Sequence, residues 1–324
     1  MGSQRLLGLV CAAAGAAALT AVASRHAPTS AIRPAAQRLP ATTRFSSRAQ
    51  HAPRELAHIA AARSLNHGSA LLALSVLADS AMEHYRGSFN NPAMYVPLVS
   101  STLSLLAGLH GGGDAIAHRH TLRHATYLTA AAVGVAGTAF HFYNITKRPG
   151  GWSWNNLFYA APLGAPIALL LTGALGTAAE RLRDEPAVAP QLLGMPAGRA
   201  LSLLVAAGLA GTVAEAGLLH FRGAFRNPVM YAPVSLPPVA AALLVRAALG
   251  APRERWFTRL WLRITVALGF AGAGFHARGV ARNQGGWRNW SQNLFNGPPL
   301  PAPPSFSALA LAGLAALRLR EKEK

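Results

Sequence analysis

Eight apolar blocks, near 65–83, 97–116, 126–144, 161–179, 200–219, 234–249, 262–280 and 303–318, run through this chain with short polar connectors between them. Most reach the ~20 residues needed to cross ~30 Å of hydrocarbon. Within lipid, backbone polar groups are satisfied only by helices or a closed barrel. Ala, Gly, Ser and Thr are frequent in the blocks, which suits close helix packing. Hydrophobic residues make up 52% of the chain and charged residues 13%, which excludes an ordinary soluble domain. The fold class expected is therefore an all-α polytopic membrane protein of about eight transmembrane helices, preceded by an N-terminal apolar segment. The sixth and eighth blocks are short and begin with prolines, so their spans are the least regular.

The eight blocks fall into two sets of four. HYRGSFNNPAMYVP at 84–97 returns as HFRGAFRNPVMYAP at 220–233. GVAGTAFHFYN at 134–144 returns as GFAGAGFHARG at 269–279, and GGWSWNNLFYAAPLGAP at 150–166 as GGWRNWSQNLFNGPPLPAP at 285–303. Three signatures in one order, at nearly constant offset, read as a duplicated four-helix unit. An even number of crossings per unit makes the halves parallel repeats and puts every signature loop on one membrane face. The division expected is 1–64 as presequence or extra helix plus a Pro/Arg linker, 65–183 as the first repeat, 184–198 as a linker, 199–318 as the second repeat and 319–324 as a charged tail.

The formal charge of +19 invites a nucleic-acid reading, but the basic residues sit in the connectors, where they anchor helix ends and set orientation. Nucleic acid is thus not an expected partner; the lipid bilayer is. Fourteen Lys and Arg occupy the connectors opposite the signatures together with the C-terminus, against eight in the signature loops. Positive-inside bias then places the signature loops outside. The first 54 residues hold seven Arg, no acid and the apolar run LLGLVCAAAGAAALTAV at 6–22. A ninth helix and an organellar presequence both agree with that orientation, whereas a cleaved secretory signal would leave basic residues outside. A bacterial inner membrane is the expected location, with an organellar inner membrane as the alternative. Cys11 is the only cysteine, so an intrachain disulfide is excluded.

Among the repeated polar residues, His84, His141, His220 and His276 stand at the signature ends of the odd-numbered blocks. Four imidazoles at one depth can ligate haem iron or a metal ion, and the Gly-rich runs before His141 and His276 would admit a flat macrocycle or a close helix. Equally, a helix-end imidazole bonds free carbonyls and complements the dipole. Asp79 and Glu215 are equivalent intramembrane acids, with Glu83 a third whose counterpart is Leu219. Such acids need partners and are either structural or functional; Arg86 and Arg222, seven residues further on, are the charge partners available in sequence. The Asn91-Pro92 and Asn227-Pro228 steps read as turns into the next helix. Gly150-Gly151-Trp152 and Gly285-Gly286-Trp287 open the third signature, the glycines free to take conformations closed to other residues. Their tryptophans suit an aromatic belt, and the Asn156 and Asn293 steps that follow suit a docking surface. His118, His120 and His124 have no second copy and read as a solvated loop. No nucleophile–base set, phosphate loop or metalloprotease motif is present, so nothing points to an enzyme.

The segment FHFYNITKRPGGWSWNNLFYAAPLGAPIALLL resembles a family of uncharacterised bacterial multi-pass membrane proteins that accompany flavin-dependent dehydrogenases of the glucose-methanol-choline type. The resemblance lies mainly in the third and fourth blocks and implies a membrane subunit that docks such a dehydrogenase or takes electrons from it. The expected function is a non-catalytic anchor or electron-transfer subunit with a partner on its outer face. The alternative is a transporter, proton-coupled through Asp79 and Glu215, with its path between the halves.

Overall fold

The structure is a computed structural model that describes residues 44–159, 162–186 and 189–323. The N-terminal apolar run and Cys11 lie outside the described residues. The first half consists of α1 (Arg44–Arg86), α2 (Val96–Gly113), α3 (Thr121–Thr146), the short α4 (Trp154–Tyr159) and α5 (Gly164–Asp184). A two-residue antiparallel hairpin pairs β1 (Gln191–Leu192) with β2 (Met195–Pro196). The second half consists of α6 (Ala197–Arg222), α7 (Ala232–Leu249), α8 (Trp256–Arg282), the short α9 (Trp290–Asn296) and α10 (Pro304–Arg320). Among the described residues the fold is all-α apart from that hairpin.

Each apolar block is carried mainly by one helix, but not all helices meet the demands of a bilayer. Among the described residues, four spans are long and apolar enough to cross a membrane: Pro92–Gly113, Ala197–Arg222, Pro228–Leu249 and Trp256–Arg282. These are α2 and α7 with their preceding 3₁₀ turns, α6 and α8. The eighth helix, α10, has 17 residues, about 25 Å at 1.5 Å per residue. The linker expected up to residue 64 ends earlier, because α1 already begins at Arg44 and buries Ile59, Ala61 and Ala62. Arg63, within the expected linker, donates from Nε to the Gly112 carbonyl at the end of α2, 2.9 Å away.

Packing follows the same plan in both halves. α1 packs on α2 and α5, and α3 on α2 and α5, leaving α1 and α3 at opposite corners of a four-helix group. Likewise α6 and α8 each pack on α7 and α10. The fourth helix of each half lies innermost, with α10 buried along most of its length. α10 also packs against α1, so the core runs continuously through both halves, from Leu65 and Leu72 through Leu175 and Leu201 to Leu309 and Leu317.

The helix surfaces are inverted relative to those of a soluble bundle. α2 buries Ser100, Ser101, Ser104 and Gly108 while exposing Val99, Leu103, Leu106 and Leu109. α8 buries Thr258, Thr265 and Gly269 and exposes Leu260, Phe270 and Phe275. In water such large side chains would be turned inward; in lipid, small residues gain more from letting backbones approach.

Candidate functional site

The four signature loops come together at one end of the molecule. Tyr85, at the end of α1, stacks on Phe295 of α9 with centroids 4.8 Å apart. Phe221, its counterpart at the end of α6, meets Phe158 of α4 edge-on at 5.9 Å. Each half therefore inserts the end of its first helix against the other half's Gly-Gly-Trp loop. Arg222 lies over the Phe158 and Tyr159 rings, at 4.9 and 5.3 Å from their centroids. Arg86 instead pairs with Glu83 at 2.7 Å. Neither arginine forms an ion pair with Asp79 or Glu215 among the described residues, because both reach toward the rim and the acids lie two turns back along the helix.

The repeated fourteen-residue stretch builds a self-fastened loop, twice. Beyond each histidine the chain passes through left-handed conformations at non-glycine residues, Ser88 and Phe89 in one half and Ala224 and Phe225 in the other. Those backbone angles are unfavourable for L-residues. They are held by Phe89 N–H donating to His84 O at 3.0 Å and Phe225 N–H to His220 O at 3.1 Å. Phe89 stacks on Tyr95 and Phe225 on Tyr231, both at 4.5 Å. The Asn91 carboxamide accepts from Ala93 N–H at 3.0 Å and that of Asn227 from Val229 N–H at 3.1 Å, capping the turns that Pro92 and Pro228 begin.

The imidazoles complete these loops. His84 Nδ1 donates to Met94 O at 2.6 Å and His220 Nδ1 to Met230 O at 2.8 Å. His141 Nδ1 donates to Pro162 O at 2.6 Å and His276 Nδ1 to Pro299 O at 2.7 Å. A carbonyl only accepts, so each Nδ1 carries a proton and Nε2 is the ring nitrogen outside that bond. All four rings are half-buried. His84 lies within electrostatic reach of His141, and His220 of His276. The glycines before the second pair seat the fourth helix: a Cβ at Gly137 would press on Pro166, and one at Gly272 on Pro303. They permit a close helix and leave no cradle at those positions.

The Gly-Gly-Trp loops owe their glycines to backbone geometry, with φ of +91° and +53° at Gly150 and Gly151, and +80° and +51° at Gly285 and Gly286. The asparagine that follows each is turned inward rather than offered for docking. Asn156 Nδ2 donates to Pro149 O at 3.1 Å and Gly151 O at 2.8 Å; Asn293 Nδ2 donates to Gln284 O at 3.1 Å and Gly286 O at 2.8 Å. Trp152, Trp154, Trp287 and Trp290 remain exposed.

The acids part company. Glu215 accepts from Gly164 N–H at 3.2 Å, at the positive end of α5 in the other half. The residue facing Asp79 by the same equivalence is Pro301, which has no N–H to give. Ser75 supplies the cross-half bond there, donating to Pro301 O and lying 2.9 Å from Ser305 Oγ. Asp79 has no hydrogen-bond or ion-pair partner among the described residues, and it senses the charges of Glu215 and Glu83.

At the opposite end lies an ionic cluster that pattern reading missed. Glu180 is fully buried and receives Arg123 Nε at 2.9 Å and Nη2 at 3.1 Å. Arg123 Nη1 reaches Asp114 at 2.8 Å, and Arg183 Nε approaches Glu180 at 3.6 Å. His120 N–H donates to Glu180 at 2.9 Å, and Tyr127 OH bonds Asn66 at 2.6 Å beside it. The HRHTLRH run is thus partly anchored in this cluster, with His118 on Asp184 at 3.2 Å, rather than wholly solvated. Arg123 and Arg183, which composition assigned to headgroup anchoring, are 2% and 0% exposed. Arg183 also donates to Gly111, Asp114 and Ile116 carbonyls at 2.7–3.0 Å, closing the end of α2. Arg320 does the same for α7 through the Ala247 and Gly250 carbonyls. The signal available in sequence was an acid at 180, at the end of the fourth apolar block, beside Arg183 and matched by Arg123 at the start of the third.

Burial alone would push the Asp114 carboxyl up, but the Ile116 N–H and the Arg123 and Arg183 guanidiniums outweigh it and hold it below the usual carboxylate range. Among the described residues no group of three or more His, Cys, Asp or Glu side chains is placed to hold a metal ion. No protein-family model, no curated protein sequence and no solved structure matches this chain.

Proposed function

We propose that this chain is a non-catalytic integral membrane subunit of eight spans, two parallel four-helix halves, that docks an extramembrane partner on its signature rim as an anchor or electron-transfer subunit. The observation that carries this reading is the crosswise interlock of the four signature loops, Tyr85 on Phe295 and Phe221 on Phe158. Four loops from both halves form one platform, stiffened by bonds within each loop, with tryptophans and cations outward. Its loops carry eight Arg and Lys, and the only acid beside them is Glu83, already paired with Arg86. A surface so lacking in acids suits a partner with an acidic face. The helices that fall short on length or apolarity, α1, α3, α5 and α10, are not at odds with eight crossings. α5 and α10 lie inside the group, and a helix shielded by its neighbours needs less apolar surface of its own.

The flavin-dependent dehydrogenase implied by the sequence resemblance is the partner class that fits best, and the positive-inside bias places it outside. Solubilising native membranes in mild detergent and isolating the chain tests the reading. A stoichiometric dehydrogenase that is lost from the charge-reversed rim variant R148E/R282E, but kept by a reversal at the exposed opposite-end Arg181, is the expected result. Recovery of the chain alone from native membranes would contradict it.

A transporter is the second reading, favoured by one observation, the unpartnered Asp79 facing Glu215 between the halves. The Glu215–Gly164 bond weighs against it, since that acid already serves as a clasp. Proton flux in proteoliposomes that vanishes in the Asp79→Asn variant would favour the transporter.

A further inference from the structure

The two halves do not join symmetrically. α10 packs along α1, and a Cβ at Gly68 of α1 would lie 3.0 Å from the Ala308 carbonyl oxygen, so that joint is closed. The matching joint, α5 with α6, is light, held by the Glu215–Gly164 bond and by Leu171 beside Gly208. A crevice opens outward of that contact. On α5, Leu171 turns to α6 and Leu170 to Gly134 of α3. Between those two directions, at about 100° per residue, lie Ile167, Ala174 and Arg181. On α6, Gly208 turns to α5 and Gly217 to Val234 of α7. Ala207, Gly211 and Ala214 lie between them on the side away from α10, all exposed, and a Cβ at Gly211 would meet no atom within 4 Å.

Arg181, at the foot of that α5 face, also lines a cavity of about 440 Å³ at the end opposite the signature rim, between the end of α5, the hairpin and Arg119. That size suits a small polar ligand. Its charges divide into a committed pair and an open one. Arg119 Nε meets Asp184 at 3.1 Å, and Arg119 N–H donates to the same carboxylate at 2.8 Å. Arg181 is exposed and makes no hydrogen bond or ion pair among the described residues. Glu185, one turn on, accepts the Gln191 N–H on one oxygen, at 3.2 Å, and leaves the other open. An open cation beside an open carboxylate complements a zwitterion better than a simple anion. The hairpin wall adds Leu193, 81% exposed and left-handed at φ +55°. A two-residue hairpin turn favours Asn, Asp or Gly there. A large apolar side chain held outward at a helix end instead suits the boundary between headgroups and acyl chains.

We propose that this crevice holds one phospholipid with an ethanolamine headgroup, its phosphate on Arg181, its ammonium on Glu185 and an acyl chain along Ile167, Ala174 and Gly211. A primary ammonium donates hydrogen bonds to a carboxylate, whereas the methylated choline nitrogen has none to give and a glycerol headgroup brings no cation. The proposal rests on the reading of the chain as membrane-embedded and is independent of what docks at the rim. Native mass spectrometry tests it, with the full chain in mild detergent titrated with phosphatidylethanolamine, phosphatidylcholine and phosphatidylglycerol of one acyl composition. One ethanolamine lipid per chain is expected, held about ten-fold more tightly than either of the others, the scale of one charge-assisted hydrogen bond. Arg181→Gln and Glu185→Gln are each expected to abolish the preference, and Gly211→Leu to abolish binding by filling the crevice. Arg318→Gln, at the matching position of α10, should keep both. Arg181 is exposed, so Arg181→Gln should also keep the wild-type melting temperature. Equal retention of the choline lipid, tighter retention of the glycerol lipid or an undiminished preference in Arg181→Gln would overturn the proposal. So would a lipid-free dimer, which would assign the crevice to a second copy of the chain. A chain that kept its dehydrogenase but bound no ethanolamine lipid would end this inference and leave the docking function standing. Release of the chain from membranes by alkaline carbonate would instead remove the membrane reading itself.

Discussion

Glu215 and Gly164 show how closely one residue can be tied to another across the molecule. A Cβ on Gly164 would overlap the Glu215 carboxylate, so Gly164→Ala is expected to destabilise by about 1–3 kcal/mol, the usual cost of overpacking. Gly211, on α6 and with open space around its Cα, is the matched control: Gly211→Ala should be neutral or stabilising by about 0.5–1 kcal/mol. Melting temperatures in one detergent distinguish the two. Asp114 sets a pH response. Its folded value lies below the ordinary carboxylate value of about 3.9, so its contribution is complete above that pH and is lost as pH falls through the lower, folded value. Wild type should therefore exceed Asp114→Asn in melting temperature at neutral pH, and the difference should shrink below about pH 4.

At the scale of elements, the loops and helix ends carry the specificity. The Gly-Gly-Trp loops need left-handed backbone, so Gly150→Ala, at φ +91°, should cost on the order of 1–2 kcal/mol. The cluster at the other end joins α1, α3 and α5. Removing its acid with Glu180→Leu leaves Arg123 and Arg183 without their buried carboxylate, a loss of about 3–5 kcal/mol, whereas Glu180→Leu with Arg123→Met should recover much of it. Thermal melts of the two variants check this. Both elements bear on what sequence could disclose. The apolar blocks, the turns at Asn91 and Asn227 and the glycine pairs were legible because each depends on residues close in the chain. The inward turn of Asn156, the Asn66–Tyr127–Glu180 contact and the Glu215–Gly164 clasp were not, since their partners lie 51 to 114 positions away or, for Asn156, within a loop whose path no periodicity announces. The early start of α1 was hidden because its first residues belong to a Pro- and Arg-bearing stretch, and the partner of Arg63, the Gly112 carbonyl, belongs to another helix.

Across the whole molecule, the docking proposal rests on one arrangement, in which both halves would point the same way while the loop ends meet crosswise at one rim, Tyr85 on Phe295 and Phe221 on Phe158. Cys11 is the only cysteine, so replacing it by serine gives a clean background for single introduced thiols. Asn90, after His84, and Arg226, after His220, are exposed in equivalent loops. Each can be changed to cysteine and probed in sealed, oriented vesicles with a membrane-impermeant maleimide. Labelling of both positions from the same side, and of neither from the other, is the expected outcome; labelling from opposite sides would show that the halves are inverted and that no common rim exists.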